Sequence, residues 1–165
     1  MSVSQILAWF QKAVPTPAKK NFNTQTGVHF EEVAEMLDAL SGDDAESARR
    51  LNAIRKDLHF FATDMKAGTV QLSIKDPVEF VDAICDQVVT AVGSAHMANV
   101  DVMSGLQEVA DSNDSKFDED GNPIFNEDMK IMKGPNYFKA KLEPYAANAR
   151  FRAAPGLPKV AAEAF

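Results

Sequence analysis

Residues 76–92 constrain the chain more than any other stretch. Asp76-Pro77-Val78-Glu79 has the form of a helix start: an acceptor side chain at the cap, proline where no amide hydrogen is needed, and an acid in the first turn. Val78, Val81, Ile84, Cys85, Val88, Val89 and Val92 then cover more than half of the helical circumference, with Gly93 as the expected stop. A helix apolar over so much of its surface is not stable alone in water, so it is expected at the centre of a group of helices.

The remaining segments supply that group. Ile6, Leu7 and Phe10 stand at helical spacing before Val14-Pro15-Thr16-Pro17, where two prolines forbid continuation. A polar connector is expected through Gly27. Over residues 28–40, Phe30, Val33, Met36, Leu37 and Leu40 share one side of a helix that Gly42 should end. Leu51, Ile54, Leu58, Phe61 and Met65 alternate by three and four, and Gly68 closes them. Residues 69–74 suit a brief extended piece without an obvious partner. Asp101 can cap one more helix, carrying Val102, Leu106 and Val109 toward the core. After Asp111 the pattern changes to turn chemistry, residues 129–137 suit a short hairpin arm or an ordered loop, and from Ala146 onward an alanine-rich stretch with Pro155 and Pro158 reads as a tail. The expected architecture is all-α: a four- to five-helix bundle forming a single domain over residues 1–145, with a short irregular or hairpin-like C-terminal arm, followed by a tail over residues 146–165.

Composition narrows the function. The 165 residues include one cysteine, Cys85, which rules out an intrachain disulfide framework and makes the cytoplasm the default expectation. The longest stretch without a charged residue, 87–100, falls short of the roughly 20 apolar residues of a membrane span. The opening residues lack the basic lead-in of a secretory signal. With 24 acidic against 17 basic residues and a formal charge of -7, the chain is a poor partner for a bare phosphate backbone, so neither nucleic acid nor a membrane is expected.

Two helices carry acids at telling spacings. Glu31, Glu32 and Glu35 fall at about 0°, 100° and 40° on a helical wheel, and Glu79, Asp82 and Asp86 at about 0°, -60° and -20°, so each set forms a stripe. An isolated acidic triplet is ordinarily a solvated face, and Glu79 is equally a capping residue. The second stripe is harder to explain that way, because no Lys or Arg lies between Glu79 and Val100 and the helix around it leaves little polar surface. Buried unpaired carboxylates would cost several kcal/mol each. A divalent cation would remove that cost, and oxygen ligands without a His or Cys cluster select Mg²⁺, with Mn²⁺ as the substitute.

At these residues the chain resembles a known family. Glu31-Glu32-x-x-Glu35 followed by Glu79-x-x-Asp82 looks like the EExxE…ExxD signature of the all-α nucleoside triphosphate pyrophosphohydrolases, the MazG-like, phosphoribosyl-ATP pyrophosphohydrolase-like and dimeric dUTPase group. Ser112-Asn113-Asp114-Ser115-Lys116, Asp120-Gly121, Lys130 and Lys133-Gly134-Pro135-Asn136-Tyr137 are similar to the SNxSK…DG…K…KGPNY tail of the MazG-like branch common in bacteriophages. The likeness spans roughly residues 24–145. The spacer between Glu35 and Glu79 is longer than in the compact MazG enzymes and holds the whole 51–65 helix.

The resemblance implies a bundle of that family's type and hydrolysis of a (d)NTP substrate to the monophosphate and pyrophosphate, in the service of nucleotide-pool control. It implies that Glu32, Glu35, Glu79 and Asp82 hold Mg²⁺, with Glu31 orienting or deprotonating the attacking water and Asp86 extending the metal cluster or supporting it. Asn113, Lys116 and Lys133 would contact sugar and phosphates, and Tyr137 a base. Members assemble as a homodimer or homotetramer. Two alternatives stand beside this: the same fold acting on another pyrophosphate nucleotide, dUTP-like or an alarmone, and a non-enzymatic acidic helical interaction or inhibitor protein.

Overall fold

The computed structural model describes residues 2–125 and 131–153, and the chain is all-helical: every named element among the described residues is an α-helix. In order they are α1 (Ser2–Ala13), α2 (Lys19–Asp38), α3 (Ala45–Ala67), α4 (Pro77–Met97), α5 (Val102–Asp114) and the short α6 (Glu143–Ala146). The helices divide between two compact units, one of Met1–Thr16 and Lys75–Phe151, the other of Pro17–Ile74 with the described start of the segment after Phe151.

The second unit is an antiparallel hairpin of α2 and α3. Its core is made of small and flexible side chains: Ala34, Ala62 and Met65 are buried, and Phe30 meets Phe61 edge-on at 5.5 Å. Gly27 sits where α2 lies close against α3, since a Cβ there would lie 2.9 Å from Met65 Cβ. The polar connector expected through Gly27 is instead the first half of α2, which begins at Lys19. Its polar side chains are satisfied within the hairpin: Asn21 Oδ1 accepts from the Ala18 amide at 2.9 Å, and the Thr26 hydroxyl donates to Phe22 O at 2.8 Å. Buried Asn23 donates to Lys19 O at 3.0 Å and accepts from Leu72 N at 2.6 Å. Side-chain bonds to the preceding turn let such residues sit inside a helix that their composition argues against.

The other end of α2 also differs from expectation. The helix stops at Asp38 with Ala39 as its cap, and Gly42 is pressed against the backbone of Ser47 and Ala48 rather than ending α2. Asp44 caps α3 through the Ser47 amide at 2.8 Å, and Gly68 closes it in the left-handed conformation (φ 82°), as its glycine predicts. Residues 69–74 form no strand. They are tied to α2 by the Asn23–Leu72 bond and by Lys19, whose ammonium reaches Leu72 O and Ser73 Oγ.

In the first unit α1 lies along α5. Gln5 donates to Asp111 at 2.9 Å and to Asp114 at 2.7 Å, while Gln107 donates to Gln5 and to Asp111. These amides, Gln5 before Gln107, hold the Asp111 carboxyl below its ordinary range. Asp101 caps α5 through the Ser104 amide at 3.1 Å. The first tail residues return to the end of α4, where Arg150 N donates to Ala98 O at 2.8 Å and Asn99 Nδ2 to Asn148 O. One antiparallel bridge pairs Phe125 with Ile131, so the expected arm is hairpin-like where it is described, and the tail beyond residue 153 lies outside the described residues.

The central position expected for α4 is corrected. Asp76 caps it as read, accepting from the Val78 and Glu79 amides, but it runs through Gly93 to Met97, and none of its residues is buried. Val78 is 75% exposed, Val81 62%, Val88 56% and Val89 66%. Among the described helices of its unit, α4 touches α5. Its apolar breadth is a real property of the sequence, and among the described residues of that unit nothing covers it.

Candidate functional site

Each acidic stripe lies on a single helix, α4 or α2. On α4, Glu79, Asp82 and Asp86 are all exposed, about one turn apart, on a helix whose only basic side chain is His96. The burial that made these carboxylates costly in the sequence reading is therefore absent: they face solvent, and the several-kcal/mol desolvation argument does not hold for them as described. The donor set is all oxygen, which suits Mg²⁺ or Mn²⁺. Among the described residues of each unit taken by itself, no group of three or more His, Cys, Asp or Glu side chains is gathered as a metal would require.

On α2 the three glutamates differ. Glu32 and Glu35 are exposed, whereas Glu31 is half-buried beside α3 and accepts from Lys66 Nζ at 2.5 Å. Sequence reasoning missed Lys66, since it lies 35 positions away in the last turn of another helix and only the antiparallel hairpin brings it there. Two turns beyond Glu31 toward the loop, Asp38 is bound by Arg55 and by His59 at 3.0 Å. Arg55 first, and His59 after it, hold the Asp38 carboxyl below its ordinary value of 3.8. A depressed carboxyl stabilises the fold above that ordinary value and loses its contribution as pH falls through the folded pKa. The hairpin of wild type should therefore lose more stability than Asp38→Asn on acidification below about pH 4, as thermal melts across that range would record.

The second motif forms one local structure. Ser112, buried near the end of α5, donates its hydroxyl to Phe138 O at 2.8 Å, and Ser115 Oγ accepts from Phe138 N at 3.1 Å. The backbone of Gly134 lies against the carbonyls of Lys116 and Phe117, and a turn over residues 134–137 is closed by Tyr137 N to Gly134 O. A Cβ at Gly134 would meet Phe117 O at 2.5 Å, a backbone atom that cannot rotate away. Gly134→Ala should cost about 1–3 kcal/mol. Urea unfolding measures that loss, and faster exchange of the Phe138 amide would show the lock opening.

Four predicted contact residues belong to this structure. Lys116 Nζ donates to Asn113 Oδ1 at 2.7 Å, and Lys133 Nζ stands 4.6 Å from the Tyr137 ring centroid. The loop of residues 118–122 is closed by Gly121 N to Asp118 O and Asn122 N to Asp118 Oδ1. Lys130 lies outside the described residues. Sequence reasoning also missed Trp9 and Lys12 of α1: Trp9 stacks on buried Phe117 at 5.6 Å and 6°, and Lys12 Nζ lies 5.2 Å from the same Phe117 ring. The available signal was the chain's single tryptophan on a short amphipathic helix.

No family model, no curated protein and no solved structure matches this chain. No helix among the described residues is long and apolar enough to cross a membrane.

Proposed function

We propose that the chain is a Mg²⁺-dependent nucleoside triphosphate pyrophosphohydrolase that converts a (d)NTP to the (d)NMP and pyrophosphate. The observation that carries this reading is the union of the 112–116 and 133–138 runs: the two halves of the second motif, apart in sequence, are one hydrogen-bonded structure presenting Asn113, Lys116, Lys133 and Tyr137. The EExxE…ExxD spacing stands beside it.

In this reading Glu32, Glu35, Glu79 and Asp82 are the metal ligands, with Asp86 extending or supporting the set. Bound Mg²⁺ supplies charge neutralisation at the phosphates and lets an acidic protein accept a polyanion. Glu31 orients the water that attacks the α-phosphorus and takes its proton, and Lys66 fixes that carboxylate at 2.5 Å. Asn113, Lys116 and Lys133 hold the phosphates, so that negative charge is met by donors as the α–β anhydride breaks and pyrophosphate leaves. Tyr137 stacks on the base. The exposed apolar face of α4 supports assembly with a second copy of the chain, since Val78, Val81, Cys85, Val88, Val92 and Ala95 follow the 3,4 spacing of a coiled-coil seam.

A panel of nucleoside triphosphates with Mg²⁺, scored for product, tests the reading. Monophosphate and pyrophosphate are expected in equal amounts, and diphosphate as the main product would exclude the proposed bond. The exposure of Glu79, Asp82 and Asp86 also favours a second reading, an acidic helical module that binds a protein by imitating nucleic acid. That module would hydrolyse no nucleotide and would tolerate Asp82→Asn.

A further inference from the structure

The described cations of this chain are held in two ways, and Lys116, like Lys12 and Lys19, is held by neutral groups. Arg49 and Arg50 pair with Glu46, Arg55 with Asp38 and Lys66 with Glu31, so each of those charges meets a carboxylate. Lys116 meets only neutral groups in its knot. Its ammonium donates to Asn113 Oδ1 at 2.7 Å and lies 6.0 Å from the centroid of the Trp9 ring. The same asparagine fixes the lysine backbone, because Asn113 O accepts from Lys116 N at 3.1 Å. That carbonyl has a second donor, the Trp9 indole Nε1, at 2.9 Å.

Trp9 thus touches both ends of the pair. Its N–H anchors the Asn113 carbonyl, its π face sits beside the Lys116 ammonium, and its other contact, the parallel stack on buried Phe117, keeps the indole from rotating. An ammonium fixed by an amide and an aromatic face keeps its whole positive charge for an incoming anion, whereas one already paired with a carboxylate does not.

We propose that Trp9 is a positioning residue for anion binding: it holds Asn113 and Lys116 as a preorganised seat for the pyrophosphate part of the ligand, so that α1 belongs to the binding site. The inference rests on the phosphate-contacting role given above to Asn113 and Lys116. Because Trp9 is the only tryptophan of the chain, its emission also reports on that seat directly.

The test titrates inorganic pyrophosphate with Mg²⁺ into the full-length protein, followed by calorimetry and by tryptophan fluorescence. Wild-type emission should change to saturation, and the change should vanish in Lys116→Ala, an arm that needs no variant at Trp9. Trp9→Phe retains an aromatic stack but lacks the N–H donor, and should bind pyrophosphate about fivefold more weakly. In a Lys116→Ala background the same substitution should cost nothing further, which loss of general stability would not produce. With a nucleoside triphosphate, Trp9→Phe should raise KM and leave kcat nearly unchanged. Unaltered pyrophosphate binding in Trp9→Phe, equal losses in the two backgrounds, or no binding by wild type overturns the inference. Trp9-dependent pyrophosphate binding without any nucleotide hydrolysis would overturn the enzymatic reading alone.

Discussion

Asp82→Asn is expected to lower magnesium-dependent pyrophosphate release by about 10²–10³-fold or more while leaving the helices in place. The substitution keeps the shape of the side chain and removes one charged ligand from the proposed metal set. Asp82 is exposed on α4, and no residue of that helix is buried, so the fold has little to lose from it. Glu79 and Asp86 stand three and four residues away on the same stripe, and relief of their repulsion is worth only about 0.2–0.5 kcal/mol per pair on a helix surface. In EDTA the melting temperatures of variant and wild type should therefore nearly coincide. A large gain for the variant would mean that the carboxylates are buried together in the working protein. Full activity in Asp82→Asn would leave the acidic interaction module as the better account.

Val88→Glu should convert an assembled protein into single chains. Val88 is 56% exposed, so the variant chain can fold, yet it lies in the middle of the seam that runs along α4. Each valine taken from water contributes about 1.5 kcal/mol or more, and two facing copies lose that twice while gaining two carboxylates in an apolar interface. The dissociation constant should rise by about a thousandfold or more, which sedimentation over a range of concentrations would register as a halved or quartered mass. Cys85, exposed at the centre of the Val78 to Val92 repeat, provides an independent check. A parallel two-fold pairing along the seam places it beside its symmetry mate, so mild oxidation should then give a disulfide-linked dimer. Wild type sedimenting as a monomer at every concentration would remove the seam as an interface.

The helical class and several helix ends were legible in the sequence, because caps and stops are local. Asp76 and Asp101 cap as read, Gly68 terminates as read, and Pro15 and Pro17 follow α1 as read. The first half of α2 was not legible. Asn21, Asn23 and Thr26 look like a connector until α3 and residue 72 supply their setting. The surroundings of α4 were not legible either: periodicity tells how much of a helix must be covered, and says nothing of which surface covers it. The candidate site divides in the same way. The acids announce themselves by spacing and the 112–116 and 133–137 runs by the family resemblance, whereas Lys66 and Trp9 enter by tertiary contact alone, at separations of 35 and 104 residues.

The division into units sets an order for the birth of the molecule. The α2–α3 hairpin is built from neighbours in the chain and can close as soon as residue 72 leaves the ribosome, because its loops are short and its contacts local. Helix α1 is made before α5 but completed only with it. Gln5 and Trp9 find their partners on α5 only after more than 100 further residues have been synthesised. Throughout that interval Gln5 and Trp9 wait for their partners on α5, and α1 is a segment a chaperone can hold.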